Sequence, residues 1–448
     1  MGGTLLKRCP THSLSHPDAD DPLMRSVCFA TVLCLFGIAT PTFGQLSPEA
    51  SLKSLTVANG LEVSLWASEP LFVNPTTITI DHKGRVWVCE AVNYRRKLRG
   101  QPPLRKEGDR VLVLEDTNND GKADKVTTFY QAPDVASPLG IAVLPTAKGQ
   151  RVFVCQSPQI WVFEDADDDL KADAAPKTLL KGFQGIDHDH GVHGIQIGPD
   201  GRLWFTVGDA GVKDLKSSND KGKAWSSNST DCRAGTVWSC KIDGTDLNRY
   251  AHNFRNNYMA GMDSFRSVFL SDNDDDGNQQ TRICFVMPDG NYGYHPRGPG
   301  QTHWHEEQPG IVPKILRTGF GSPTGFSIYE GKLLPEKYRG MPLHTDAGPR
   351  HVRSYMLKPN GAGYDVEAEN LITSSDPWFR PSDVQTAPDG AVFIADWYDP
   401  GVGGHGMGDT TRGRIFRLAS KGNKPVRNIF GTMPGCSSCQ CVCPGPLG

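Results

Sequence analysis

Between residues 84 and 418 apolar and polar side chains alternate in short runs of four to six, each closed by a turn rich in Gly, Pro or Asp. Alternation with period two turns successive side chains to opposite faces of an extended strand, whereas a helix needs spacing near 3.6. The runs come in pairs. First members occupy 84–88, 150–154, 201–205, 265–270, 338–343 and 390–394; second members occupy 110–114, 160–163, 236–240, 281–285, 352–357 and 414–418. The copy at 338–343 fits least well. Successive copies are spaced by 66, 51, 64, 73 and 52 residues, which is room for four short strands each. Turns such as Pro199-Asp200-Gly201 and Pro388-Asp389-Gly390 point to antiparallel neighbours. Sheets this small cannot bury both faces alone, so stacking about a channel is the economical arrangement. The pattern therefore predicts an all-β, six-bladed β-propeller of four-stranded antiparallel blades, with a pair of β-sandwiches as the rival.

Composition agrees and adds a compartment. Gly (49) and Pro (33) are abundant in the 448 residues, and no long Ala/Leu/Glu-rich stretch suggests a helical bundle. A net charge of −3 leaves no global field for nucleic acid. Residues 24–39 hold one basic residue, Arg25, and then an apolar run too short to span a bilayer, followed by small residues before Gln45. Residues 1–44 thus divide into an extension of 23 residues and a signal peptide; an uncut N-terminal anchor is the alternative, and would be the chain's one membrane contact. Either way the propeller, 45–420, is expected outside the cytoplasm, whether periplasmic, secreted or at the cell surface. The tail, 421–448, is irregular and rich in Cys, Pro and Gly; Cys436 and Cys439 have haem-attachment spacing, but Gln440 stands where His is required. Cys89, Cys155, Cys232, Cys240 and Cys284 are too scattered for a disulfide framework, leaving room for one bridge, Cys232 with Cys240.

Three loops have acids at alternate positions: 116–124, 165–173 and 272–278. Oxygens at every second residue of a tight loop converge, and a Gly at the sixth position permits the turn. The expected calcium ligands are Asp116, Asn118, Asp120 and Asp124 in the first loop and Asp272, Asp274 and Asp276 in the third. The second, with Leu170 in place of Gly, fits less well. Thr127 stands where an EF-hand would have its bidentate Glu, so these are not EF-hands; simple Asp/Asn hairpin turns are the alternative reading.

In a propeller the segments leading into the innermost strands surround the channel mouth. Those segments carry Asn74-Pro75, Ser137-Pro138, Asp189-His190, Arg255-Asn256, Ser322-Pro323 and Arg380-Pro381. Residues 187–193 pack His188, His190 and His193 with Asp187 and Asp189. A neutral imidazole beside a carboxylate suits removal of a hydroxyl proton, and Arg255 supplies a fixed positive charge. An inter-blade hydrogen-bond network and a transition-metal site are the competing readings of the same residues. Trp304, His303 and His305 are expected to pack a long loop.

Residues 190–209 resemble the catalytic segment of soluble quinoprotein glucose and aldose-sugar dehydrogenases, with His190 eight residues before Gly198-Pro199-Asp200-Gly201. The resemblance implies His190 as base, helped by Asp189, and hydride transfer to pyrroloquinoline quinone. It makes Arg255 and Asn256 quinone contacts, with His193 of the same cluster as a third; Asn257-Tyr258-Met259 departs from the family's Pro-Gln-Gly. Over residues 50–420 the chain also resembles the membrane-bound dehydrogenase propellers of planctomycete-type bacteria, through the 116–124 loop, Arg255-Asn256, Asn291-Tyr292-Gly293 and Asp396-Trp397-Tyr398-Asp399. That implies a sugar, polyol or alcohol substrate and a separate c-type cytochrome as electron acceptor. A non-catalytic propeller that binds glycan or protein, and a metal-dependent lactonase or hydrolase, are the alternatives.

Overall fold

A computed structural model describes residues 44–273, 281–294 and 309–425. Six small sheets form a six-bladed β-propeller, and the inner strand of each starts at one of the segments named above. Blade 1 is Pro75–Ile80, Val86–Glu90, Arg110–Glu115 and Lys125–Gln131. Blade 2 is Gly140–Pro145, Gln150–Gln156, Gln159–Asp165 and Lys177–Phe183, with Val212–Ser217 added outside. Blade 3 is Val192–Ile197, Leu203–Val207, Gly235–Cys240 and Asn248–Phe254, extended by Gly290–Asn291; blade 4 is Ala260–Met262, Val268–Asp272, Thr281–Val286 and Leu316–Gly319. Blade 5 is Pro323–Tyr329, Met341–Asp346, His351–Asn360 and Gly363–Ser374, with Leu55–Val57 at its edge.

Blade 6 closes the ring. Pro381–Thr386, Val392–Asp396 and Arg414–Ser420 come from the end of the propeller, and its outer strand, Leu61–Ser68, comes from the beginning. That strand pairs antiparallel from Leu61 opposite Ser420 to Ser68 opposite Arg414, so no open sheet edge is left at the seam. Apolar faces of adjacent blades then pack on each other: Phe153, Phe183, Phe205 and Trp238 share one core between blades 2 and 3, and Trp66, Val88, Leu112 and Phe393 another between blades 6 and 1.

The paired runs are the second and third strands of every blade. In the weakest copy, Tyr338 belongs to a 3-10 turn, Glu336–Tyr338, and the strand starts at Met341. The Cys232–Cys240 bridge does not form: both are buried, unbridged thiols, because Cys240 sits inside a strand whose neighbours are fixed by the sheet register.

In an antiparallel meander successive turns alternate between the two faces. Segments between blades and the loops joining second to third strands therefore share the mouth face; the other loops share the far face. The first two acidic loops join third to fourth strands, Glu115 to Lys125 and Asp165 to Lys177, and lie on the far face. The third follows the second strand of blade 4 on the mouth face, so it is not their equivalent. Asp274 and Asp276 lie outside the described residues.

Candidate functional site

A cavity opens at the mouth, with about 610 Å³ of empty space when the adjoining open solvent is included. It is bordered by Thr76, Leu139, Asp189, Asn256, Thr324 and Ser382, one residue from the segment leading into each of the six blades, and by Tyr94, Tyr258, Arg380 and Trp397.

A recurrent clamp shapes this rim. The second strand of each blade ends in Glu90, Gln156, Val207, Asp272, Asp346 or Asp396. In five blades that side chain accepts a backbone N–H from the segment leading into the same blade: Val73 (2.8 Å), Ala136 (2.8 Å), Arg255 and Asn256 (3.0 and 2.8 Å), Ser322 (2.7 Å) and Arg380 (2.8 Å). Blade 3 is the exception. Val207 cannot accept, and the next two residues, Gly208 and Asp209, meet His190 instead. A Cβ on Gly208 would lie 2.7 Å from the Cα of His190 and from Asn256 Oδ1. Asp209 Oδ1 pairs with His190 Nδ1, and Tyr294 donates to Asp209 Oδ2 (3.4 Å). Burial opposes charge on the His190 ring, but the hydrogen bond to Asp209 and the charges of Asp189 and Asp209 outweigh it and raise its pKa. The ring is thus a strengthened base whose Nδ1 proton is held by a carboxylate, which leaves Nε2 for chemistry.

The acid hydrogen-bonded to His190 is Asp209; Asp189, which the sequence put beside it, acts on the ring through its charge. Asp189 accepts from Tyr94 (2.6 Å) and Arg95 (2.5 Å). Burial would raise its pKa, yet His190, Arg95 and the Tyr94 hydrogen bond hold it well below the carboxylate range. Its partners come from a long loop, 91–109, that leaves blade 1 and reaches blade 3, where Lys97 and Leu98 N–H groups also donate to Asp187. No local signal marks this strap.

His193 is not a cofactor contact. It is fully buried, with Nδ1 on Thr206 Oγ1 (2.8 Å), Nε2 on Asn256 Oδ1 (3.2 Å) and its ring stacked on Tyr258. Burial pushes its pKa down to about 4. Its position on the inner strand points it into the core, where it orients Asn256, whose Nδ2 donates to Asp189 (3.4 Å). Asn256 and Asp189 border the cavity; His190, next to Asp189 and with its side chain 21% exposed, and Arg255, next to Asn256, adjoin them, and Arg255 is near enough to oppose charge on His190.

Asp272 is likewise not a calcium ligand. It is fully buried, and besides the two N–H groups it holds Arg282 Nε (3.0 Å) and Nη2 (2.8 Å). Among the described residues, one group of His, Cys, Asp or Glu brings its ligand atoms within 4.8 Å of one another: Asp165, Asp167 and Asp173, in the loop ranked last. In the first loop Asp116 accepts from Asp120 and Gly121 N–H groups, Asn118 from Asp120, and Asp124 from Thr117, a self-satisfied turn. His188, His190 and His193 do not converge, which removes the transition-metal reading of the cluster; His303, Trp304 and His305 lie outside the described residues.

Sequence reasoning placed Arg380 at the mouth and Trp397 in a motif of the resemblance, but gave neither a role in the site. Arg380 donates to the carbonyls of Phe379, Pro400 and Gly401 and forms no ion pair among the described residues. Trp397 Nε1 and Asn273 Oδ1 are buried, in residues that border the cavity, without a hydrogen-bond partner among the described residues.

This geometry defines a propeller whose mouth cavity is lined by aromatic, small polar and apolar residues with the charges of Asp189 and Arg380, and solved structures share that fold. An aldose sugar dehydrogenase from Streptomyces coelicolor, solved with PQQ bound, is 17% identical over 81% of this chain and 99% of its own, with a TM-score of 0.54. The soluble aldose sugar dehydrogenase of Escherichia coli is 13% identical over 81% and 100%, with a TM-score of 0.54. The PQQ domain of a pyranose dehydrogenase from Coprinopsis cinerea is 13% identical over 82% and 97%, at 0.53. At these identities the likeness is one of fold. No curated protein matches the sequence. A family model described as a domain of unknown function, DUF7133, matches residues 47–421, and the chain belongs to that family.

Proposed function

We propose that this protein is an exported oxidoreductase that oxidises a hydroxyl of a sugar, polyol or alcohol at the channel mouth, with a quinone of the pyrroloquinoline type as cofactor. The observation that carries the reading is His190: a raised imidazole fixed by Asp209, one residue from the cavity wall. Nε2 takes the hydroxyl proton as the carbinol carbon gives up hydride. Asp189, held ionised by Arg95 and Tyr94, stabilises the imidazolium that results. Asn256, oriented by His193, offers hydrogen bonds to the substrate.

The lining fits a flat, anionic cofactor. Tyr94, Tyr258 and Trp397 supply aromatic surface, Arg380 a buried guanidinium that forms no ion pair among the described residues, and Trp397 Nε1 and Asn273 Oδ1 hydrogen-bonding capacity that no described residue meets. Bound there, such a quinone supplies the hydride acceptor. The PQQ-bound state of the Streptomyces relative supports the choice. Calcium at the hairpin of blade 2, where Asp165, Asp167 and Asp173 bring their ligand atoms together, stays in this reading as a stabilising ion on the far face, without a part in the chemistry.

The test is reconstitution. Purified protein with calcium and pyrroloquinoline quinone is expected to bind the quinone, seen by its absorbance, and to reduce an artificial dye with a member of a panel of aldoses, polyols and alcohols. His190→Ala is expected to keep binding and lose reduction. No quinone binding would sink the reading in favour of a glycan- or protein-binding propeller. Export is tested by sequencing the N-terminus of the protein from its host, with Gln45 expected first.

A further inference from the structure

The strap over the mouth has an inner half that belongs to the site and an outer half that nothing so far explains. Inside, Tyr94 borders the cavity and Arg95 pairs with Asp189. Outside, residues 96–107 carry Arg96, Lys97, Arg99 and Lys106, none of which forms an ion pair with a described residue, against one acid, Glu107. In a chain of net charge −3 this is a local excess of positive charge. Among these cations Leu98 and Leu104 are 52% and 50% exposed.

The tip is also preformed. Asn93 exchanges two hydrogen bonds with Arg105 (2.9 and 3.0 Å), Arg105 pairs with buried Glu90, Gln101 N–H donates to the Arg96 carbonyl (2.8 Å), and Asp187 holds the strap down at Lys97 and Leu98. A platform already ordered loses little entropy when a partner docks.

We propose that this tip is the docking surface for an acidic, one-electron carrier protein. The inference rests on the oxidoreductase reading above. Oxidation of a carbinol to a carbonyl releases two electrons and two protons, so two molecules of such a carrier are reduced per turnover and the protons pass to water. Charge complementarity steers the encounter, and a small apolar centre ringed by charge suits a brief, low-area contact. The tip stands where that contact is useful, on the loop that also lines the cavity.

The experiment is titration of the full chain with an acidic c-type cytochrome, a basic c-type cytochrome, and vesicles of phosphatidylglycerol and phosphatidylcholine, at 20 and 200 mM salt. The acidic cytochrome is expected to bind at low salt, to bind about tenfold more weakly at high salt, and to lose about tenfold again in R99E/K106E. L98S/L104S is expected to weaken binding severalfold at both salt concentrations, and both variants keep the native melting temperature and dye reduction. Equal binding of the two cytochromes, or native affinity in R99E/K106E, overturns the proposal, as does tighter binding to the vesicles, which would assign the tip to a membrane surface. Cytochrome binding by a protein that reduces no dye with any sugar would retire the oxidoreductase reading and leave the surface standing.

Discussion

His190 and His193 share one turn of sequence and do opposite work, because the propeller gives their nitrogens different partners. His193 spends both nitrogens on Thr206 and Asn256 and stays neutral; His190 spends one on Asp209 and is made more basic. Asp209→Asn removes the charge that favours imidazolium and can stabilise the wrong tautomer, so kcat is expected to fall by about 10²–10⁴. Because the charge raises the pKa of His190, its loss lowers that pKa, and the acid limb of the kcat–pH profile moves to lower pH even as the maximum drops. A profile that only scales down would argue against the pair. Gly208 tests the same site sterically. Gly208→Ala puts a Cβ against His190 and Asn256, and is expected to cost tenfold or more in kcat but only about 1–3 kcal/mol in stability by urea unfolding, the ordinary cost of overpacking. The sequence displayed the His–Gly-Pro-Asp-Gly spacing but could not say which of two nearby acids faces the ring.

At the scale of the element, the strand-end clamp is what turns six similar sheets into one rim. The second and third strands stood out as short, strongly apolar runs because they bury side chains on both sheet faces against neighbouring blades. The clamp did not stand out, since an acid at a strand end and an acid in a loop look alike in sequence. Asp272 was read as a loop acid for that reason. Its replacement tells the two apart: Asp272→Ala leaves fully buried Arg282 without its counter-ion and frees two N–H groups, so unfolding is expected to cost about 3–5 kcal/mol less than in the native protein. A calcium ligand would show its effect only when the ion is present; here the loss is expected with or without chelator. The one blade that lacks the clamp, blade 3, is the blade whose rim carries His190.

Across the whole molecule two buried sets of ionisable groups oppose each other. Burial lowers the pKa of His193 and His252 to about 4 and of His344 well below its usual value. The unfolded chain takes up those protons first, so this stability is present above about pH 6.5 and is lost as pH falls. Burial raises Asp346 and Asp383 to about 6 and Asp109 and Asp396 to about 7; their contribution is present below about pH 4 and is lost as pH rises through those values. His344→Phe removes one member of the first set, on the second strand of blade 5, fully buried and outside the cavity lining. Its melting temperature relative to the native protein is expected to improve as pH is lowered from 7 to 4.5, and a constant offset would count against the balance. By itself the sequence determined the strands, their six-fold repetition and the segments around the mouth, because alternation and turn chemistry act between neighbours along the chain. Only the tertiary structure decided which groups meet there. The reach of the blade 1 strap to blade 3 brings Tyr94 to Asp189 across 95 positions, while pairing of neighbouring strands within a blade turns Asp272 onto Arg282 and sets Asp209 on His190. Those partners are fixed by strand register and by packing of blades and loops, and no local pattern encodes them.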